Sequence, residues 1–128
     1  MILVFLQNAY RKNGNGYRNR EHWLRRMWLS HTGSRLKEML PDESQVYVAN
    51  ANPRVGKETG AVFPPDLEHM QKIIDEINPE LILGCGKVAQ KGLSEIGVEY
   101  VSAPHPAWRA LSKKETERIC KKIKLTVR

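Results

Sequence analysis

Leu81-Ile82-Leu83-Gly84-Cys85-Gly86-Lys87-Val88-Ala89 (LILGCGKVA, residues 81–89) is the stretch whose reading decides the fold. Three aliphatic residues make a short buried strand. Gly84-Cys85-Gly86 turns the chain, and the residues after it continue as a helix through Leu93. A strand feeding a helix through a tight turn is the unit from which parallel sheets are built. Working outward, Asp66 to Ile77 places Leu67, Met70, Ile73, Ile74 and Ile77 at helical spacing. Before it lies a loop, Ala51 to Pro65, with three prolines and two glycines, and before that the alternating strand Gln45 to Asn50 (QVYVAN). The first strand is the apolar run Met1 to Leu6 (MILVFL). Between these two strands, Gln7 to Arg20 is polar and holds the turn signal Asn13-Gly14-Asn15-Gly16. Trp23, Leu24, Met27 and Trp28 then suit a short helix within Glu21 to Leu29. Ser34 can cap a second helix carrying Leu36, Met39 and Leu40, which Pro41 ends. Toward the C-terminus, Val98 to Val101 is a fourth strand, and Ser112 can cap a basic helix reaching about Lys124. The expectation is one α/β domain over residues 1–128, a three-layer αβα arrangement around a four-stranded parallel sheet.

The chain has 128 residues, 41% of them hydrophobic, which suffices for a core and excludes a disordered basic tail. No window approaches the ~18 uninterrupted apolar residues of a membrane span. The apolar start lacks a basic leader and is too short for a signal peptide. Two cysteines make neither a disulfide framework nor a four-thiolate metal site. The simplest setting is a reducing cytoplasm, with no cofactor and no metal. The net charge is +7, with 21 Lys and Arg against 14 Asp and Glu. Residues 1–30 carry six basic groups against one acid, and residues 109–128 carry eight against two. The middle, 31–108, carries seven basic groups against eleven acids. Two basic ends meeting in space would form one patch able to neutralise phosphates. The alternative is an imbalance that aids solubility, with a basic C-terminal helix.

In parallel sheets, function collects in the loops past the carboxyl ends of the strands. Four loops qualify: Gln7–Tyr10, Asn50–Asn52, Gly84–Gly86 and Pro104–Arg109. Three of them place a hydrogen-bonding or ionisable group just after a strand, namely Gln7-Asn8, Asn50 and His105. None contains Asp or Glu, so a carboxylate pair for ordinary glycoside hydrolysis is unsupported. A nucleophilic triad is equally unsupported. Gly84-Cys85-Gly86-Lys87-Val88-Ala89 fits G-x-G-x-x-A, a weak dinucleotide fingerprint so late in a chain. It reads either as a tight turn or as amides of Gly86, with Lys87, holding one phosphate.

These residues, taken in order, resemble the uracil-DNA glycosylase superfamily over roughly residues 1–112. Leu6-Gln7-Asn8-Ala9-Tyr10 looks like its first active-site motif, G-Q-D-P-Y or G-M-N-P-G. Met27-Trp28-Leu29-Ser30-His31-Thr32-Gly33 looks like P-F-V-G-x-A-G, which makes residues 27–33 a loop and stops the preceding helix near Arg26. Tyr47-Val48-Ala49-Asn50 looks like the strand that ends in the base-reading Asn, and Pro53-Arg54 and Pro64-Pro65 fall in the Pro-rich loop after it. Pro79 to Ala89 resembles P-x-V-I-V-L-L-G-x-x-A, with Gly86 on the Gly. His105-Pro106 looks like the second active-site motif, H-P-S.

The resemblance implies an enzyme that flips an altered base such as uracil out of duplex or single-stranded DNA and hydrolyses its N-glycosidic bond. His105 would donate a hydrogen bond to the departing base anion, and Asn8 would position the attacking water. Asn50 would read the base edge, Trp28 would stack on its face, and the backbone near Gln7 would add hydrogen bonds. Tyr10 would shape the pocket wall. For Trp28 and Tyr10 the competing reading is ordinary core packing. Leu6, Ala9, Ser30 and Ala107 depart from the family pattern. Trp108 falls where the family has an intercalating loop and is either a wedge or a core residue. Arg109 is a phosphate contact in this reading. The iron–sulfur branch needs four cysteines, which Cys85 and Cys120 cannot supply. The partner implied is DNA, with no membrane and no readable protein partner. The alternative is a non-catalytic DNA- or nucleotide-binding protein on the same fold, and a more distant one an enzyme acting on free nucleotides.

Overall fold

The structure is a computed structural model and describes residues 1–10, 17–42, 45–56 and 62–126. The turn signal at 13–16 lies outside the described residues. So do Arg11, Lys12, Glu43, Lys57, Glu58 and Arg128 of the charge count.

The central strand is β1, Ile2–Leu6, buried at every position. Its alternation sends Ile2, Val4 and Leu6 into one apolar cluster and Leu3 and Phe5 into another. A strand buried on both sides has a continuous apolar run because it has no solvent face to pattern. It pairs in parallel with β3, Val46–Asn50, on one side and with β5, Leu81–Cys85, on the other. The strand β6, Val101–Ala103, extends the sheet beyond β5, giving the order β3-β1-β5-β6. The four-stranded parallel sheet is as the sequence predicts. The third strand runs two residues past Leu83, and the fourth starts three residues later than expected, because Val101–Ala103 is the segment in register with Leu83–Cys85.

Five helices cover this sheet among the described residues. The first cluster joins the sheet to α1, Arg20–Leu29, α2, His31–Met39, and α5, Lys113–Thr126. The second joins it to α3, Leu67–Ile77, and α4, Lys87–Ile96. The result is a helical layer on each face of the sheet. Asp66 caps α3, its carboxylate accepting from His69 N at 3.0 Å, and Ser112 caps α5 as expected, accepting from Glu115 N at 3.1 Å.

Two expectations are corrected around residue 30. The loop that the family resemblance implies for residues 27–33 is absent: α1 runs through Trp28 to Leu29 and α2 starts at His31. The apolar spacing of Trp23, Leu24, Met27 and Trp28 therefore describes this segment better than the motif match does. The cap of α2 is Ser30 rather than Ser34. Ser30 Oγ donates to Met27 O at 2.5 Å and accepts from Gly33 N at 3.4 Å. One residue thus closes α1 and opens α2. A corner this tight brings Gly33 onto the end of α1, where an added Cβ would lie 2.4 Å from Met27 O.

A further pairing was not foreseen. β2, Ala9–Tyr10, pairs in parallel with β4, Val55–Gly56, inside what the sequence presents as two loops. Two-residue strands carry no periodicity to detect.

Candidate functional site

The chain leaves β1 toward α1 on one face of the sheet, whereas its neighbours β3 and β5 lead to α3 and α4 on the other face. Adjacent strands whose connections part to opposite faces open a crevice at their carboxyl ends. Gln7 and Asn8 leave β1 at that point.

The register brings the expected residues to this edge. Leu6 pairs with Asn50, so Gln7 and Asn8 follow directly beside the end of β3. Ala51 N donates to Leu6 O at 2.8 Å and Asn52 N to Gln7 O at 3.1 Å, which extends the alignment past the strands. On the other side of β1, Gly86 follows Cys85, whose partner is Ala103, and His105 comes two residues later. Gly86 N donates to Ala103 O at 2.8 Å. Across the edge the order is Asn50, Gln7-Asn8, Gly86 and His105. With strands about 4.8 Å apart, the backbones at its two ends are separated by about 14 Å.

His105 is half-buried, and loss of solvent holds its imidazole below the ordinary histidine range. Its Nδ1 accepts the backbone N–H of Ala107 at 3.1 Å. An Nδ1 that accepts is unprotonated, so the neutral ring carries its proton on Nε2 as a donor. The turn that fixes this ring also has Trp108 N donating to His105 O at 2.9 Å. Gly86 completes the seat. Its backbone sits at φ 88° and ψ 169°, a region open essentially to glycine alone, and an added Cβ would lie 3.2 Å from His105 Cβ.

Asn50 ends β3 with its Oδ1 buried and without a hydrogen-bond partner among the described residues. A buried amide oxygen left unmatched costs about 1–3 kcal/mol, which a ligand donor would recover. The backbone of Asn50 is held: its carbonyl lies 3.1 Å from His69 Nε2, an α3 residue that sequence reasoning did not single out. Asn8 lies in the loop after β1, its Nδ2 donating to Ala9 O at 3.0 Å.

Two further residues organise this edge and were missed. Asn52, 6% exposed, donates from Nδ2 to Pro64 O at 2.8 Å and accepts Arg54 N at 2.9 Å, tying both ends of the Pro-rich loop to the end of β3. Gln90 of α4 donates to Gly84 O at 3.2 Å and to Ala103 O at 2.9 Å, bridging β5 and β6 beneath Gly86 and His105. Neither sequence position carries a signal, because Asn after a strand and Gln in a helix are ordinary surface choices.

The remaining expected residues divide. Lys87 and Arg109 are exposed beside Gly86 and His105, and Trp108 is 54% exposed, which removes the core reading for that ring. Trp28 is half-buried in the last turn of α1, packed against the core, with Lys37 Nζ 5.8 Å from its ring. Its described contacts are those of a packing residue. Tyr10 has its backbone in β2, opposite Gly56. The buried Cys85 thiol is pushed up to about 12 by desolvation, which makes it unfit as a nucleophile although it ends β5. Among the described residues no group of three or more His, Cys, Asp or Glu could hold a metal ion, and no helix is long and apolar enough to cross a membrane.

Compared with models of known protein families, with curated proteins and with solved structures, the chain matches none.

Proposed function

We propose that this chain is a small DNA glycosylase of the uracil-DNA glycosylase type, removing uracil or another altered base. The observation that carries the reading is the pairing at one sheet edge of a neutral His105, proton on Nε2, with the unmatched buried Oδ1 of Asn50. Cleavage of an N-glycosidic bond leaves negative charge on the departing base, and a neutral imidazole N–H can donate to it without adding the burial cost of a cation. The Asn50 amide matches a base edge that offers a donor, since its oxygen accepts and its nitrogen donates. Asn8 orients the water, because an amide is no base at neutral pH. Gln7 adds backbone contacts in this reading. Trp28 backs the site from α1 in this reading. Gly86 and Lys87 meet a DNA phosphate, Arg109 meets another, and the exposed Trp108 fills the gap that a flipped base leaves in the stack.

A second reading is a protein that binds DNA on this edge without hydrolysis. It is favoured by Asn8, whose Nδ2 is turned onto the neighbouring backbone and whose Oδ1 is buried. Oligonucleotides carrying one uracil, hypoxanthine or hydroxymethyluracil, single-stranded and duplex, separate the two when abasic sites are revealed by alkali. Cleavage at any lesion supports the enzyme. Binding to all of them with no abasic site in any supports the second reading.

A further inference from the structure

The charge of the described helices is divided between the two faces of the sheet. Helices α1, α2 and α5 carry eleven Lys and Arg against four Glu, a balance of +7. Helices α3 and α4 on the other face carry three Lys against four acids, a balance of −1. The two basic ends of the sequence do reach one layer, because α2 lies between α1 and α5 and touches both. Arg35 of α2 donates to Leu111 O just before α5, and Glu38 accepts from Thr116 Oγ1 at 3.0 Å, so α2 and α5 run side by side in the same direction.

Few of these cations are spent inside the layer. Arg118 pairs with Glu115 and Arg35 with Glu38, while Arg20 donates to Val48 O at 2.6 Å and stacks on Tyr47 at 3.9 Å. Among the described residues Arg25, Arg26, Lys121, Lys122 and Lys124 are exposed and in no ion pair. The last three lie toward the end of α5, which starts beyond the His105 loop and runs back along the sheet for ~21 Å. A ligand held at the strand ends leaves them uncovered. With helix axes ~8–10 Å apart, the layer is ~20 Å across.

We propose that this three-helix layer is a second nucleic-acid surface, docking the phosphate backbone of duplex DNA by charge without reading bases. A duplex carries about one phosphate charge per 1.7 Å of axis, and dispersed exposed lysines and arginines neutralise it without requiring a pocket. A lipid surface fits less well, because the apolar stripe of α5 (Ile119 and Ile123) is buried in the core. The large apolar residues that α1 and α5 leave exposed are Leu29 at 82% and Leu125 at 67%, one at the end of each helix, not the continuous apolar face that membrane insertion uses. The surface acts whether or not the strand-end site hydrolyses anything.

Anisotropy of a lesion-free duplex of about 30 base pairs between roughly 50 and 200 mM salt tests this, because the slope of log K against log salt is about −0.9 per phosphate contact. Two non-overlapping exposed variants are used, Arg25→Ala with Arg26→Ala, and Lys121→Ala with Lys122→Ala and Lys124→Ala. Each is expected to weaken duplex binding at least ~10-fold at the low salt, and the triple variant to flatten the salt slope by about 2 or more. Unchanged affinity and slope in both variants would overturn the proposal. So would a triple variant that loses phosphatidylserine vesicles while duplex binding stays as in the parent.

Discussion

His105 is where burial, a backbone hydrogen bond and a neighbouring glycine act on one side chain. Loss of solvent lowers its proton affinity, and the Ala107 N–H held on Nδ1 is compatible only with an unprotonated Nδ1. The consequence for stability has a definite sign. In the unfolded chain the imidazole titrates near ~6.5 and in the folded chain lower, so the unfolded state takes up the proton first as pH falls. The contribution of His105 to stability is therefore level above about pH 6.5 and is lost below it, down to the lowered folded value. Thermal unfolding followed from pH 8 to 5 should show His105→Asn losing less Tm with acid than the parent, and identical slopes would refute a lowered proton affinity in the folded chain. In the proposed reaction the same variant loses the N–H aimed at the departing base. It should cut excision by ~10²-fold or more while DNA binding is retained.

At the scale of elements, the site depends on two loops that the sequence describes unequally. Gly86 was legible: a glycine between a strand and a helix is a turn whatever else it does. Its ε-region backbone and its contact with His105 were not, because they depend on β6 arriving beside β5. Gly86→Ala should cost about 1–3 kcal/mol and also displace the imidazole, lowering excision. Gly97→Ala meets open space at a left-handed helix end, so it should cost about 1–2 kcal/mol and leave excision unchanged. Chemical denaturation and the excision rate, read together, distinguish a strained turn from a seat for the histidine. Asn52 was invisible for a different reason. Its two side-chain bonds close a loop of more than ten residues between Asn52 and Pro64, a pairing that no local pattern encodes. Asn52→Ala should destabilise by about 1–3 kcal/mol in urea denaturation, and a change of a few tenths would show that the loop holds itself. At the Ser30 corner the family motif implies a loop, whereas the helical spacing that packs Met27 and Trp28 on the core carries α1 through to Leu29.

For the whole molecule, the parallel sheet was legible because each buried strand is an uninterrupted or alternating apolar run set between helical patterns. The gathering of Gln7, Asn8, Asn50, Gly86 and His105 at one edge follows from that topology alone. What the sequence could not supply is orientation: which ring nitrogen carries the proton, that the Asn8 amide turns onto the Ala9 carbonyl, that Trp108 is exposed and Trp28 packed. The first two are set by hydrogen bonds between residues one or two apart that no residue pattern encodes, and the last two by how segments far apart in the chain pack. The charge follows the same rule. The total of +7 is visible at once, but its concentration on one helical face appears only when α1, α2 and α5 are seen to share it. The central claim is that the carboxyl edge of this sheet removes a base from DNA. It is tested most directly by incubating the purified protein with lesion-bearing oligonucleotides, single-stranded and duplex, and treating with alkali. The account predicts strand breaks at the altered base, strongly reduced by His105→Asn. Intact strands for every lesion under conditions where the DNA is bound would contradict it.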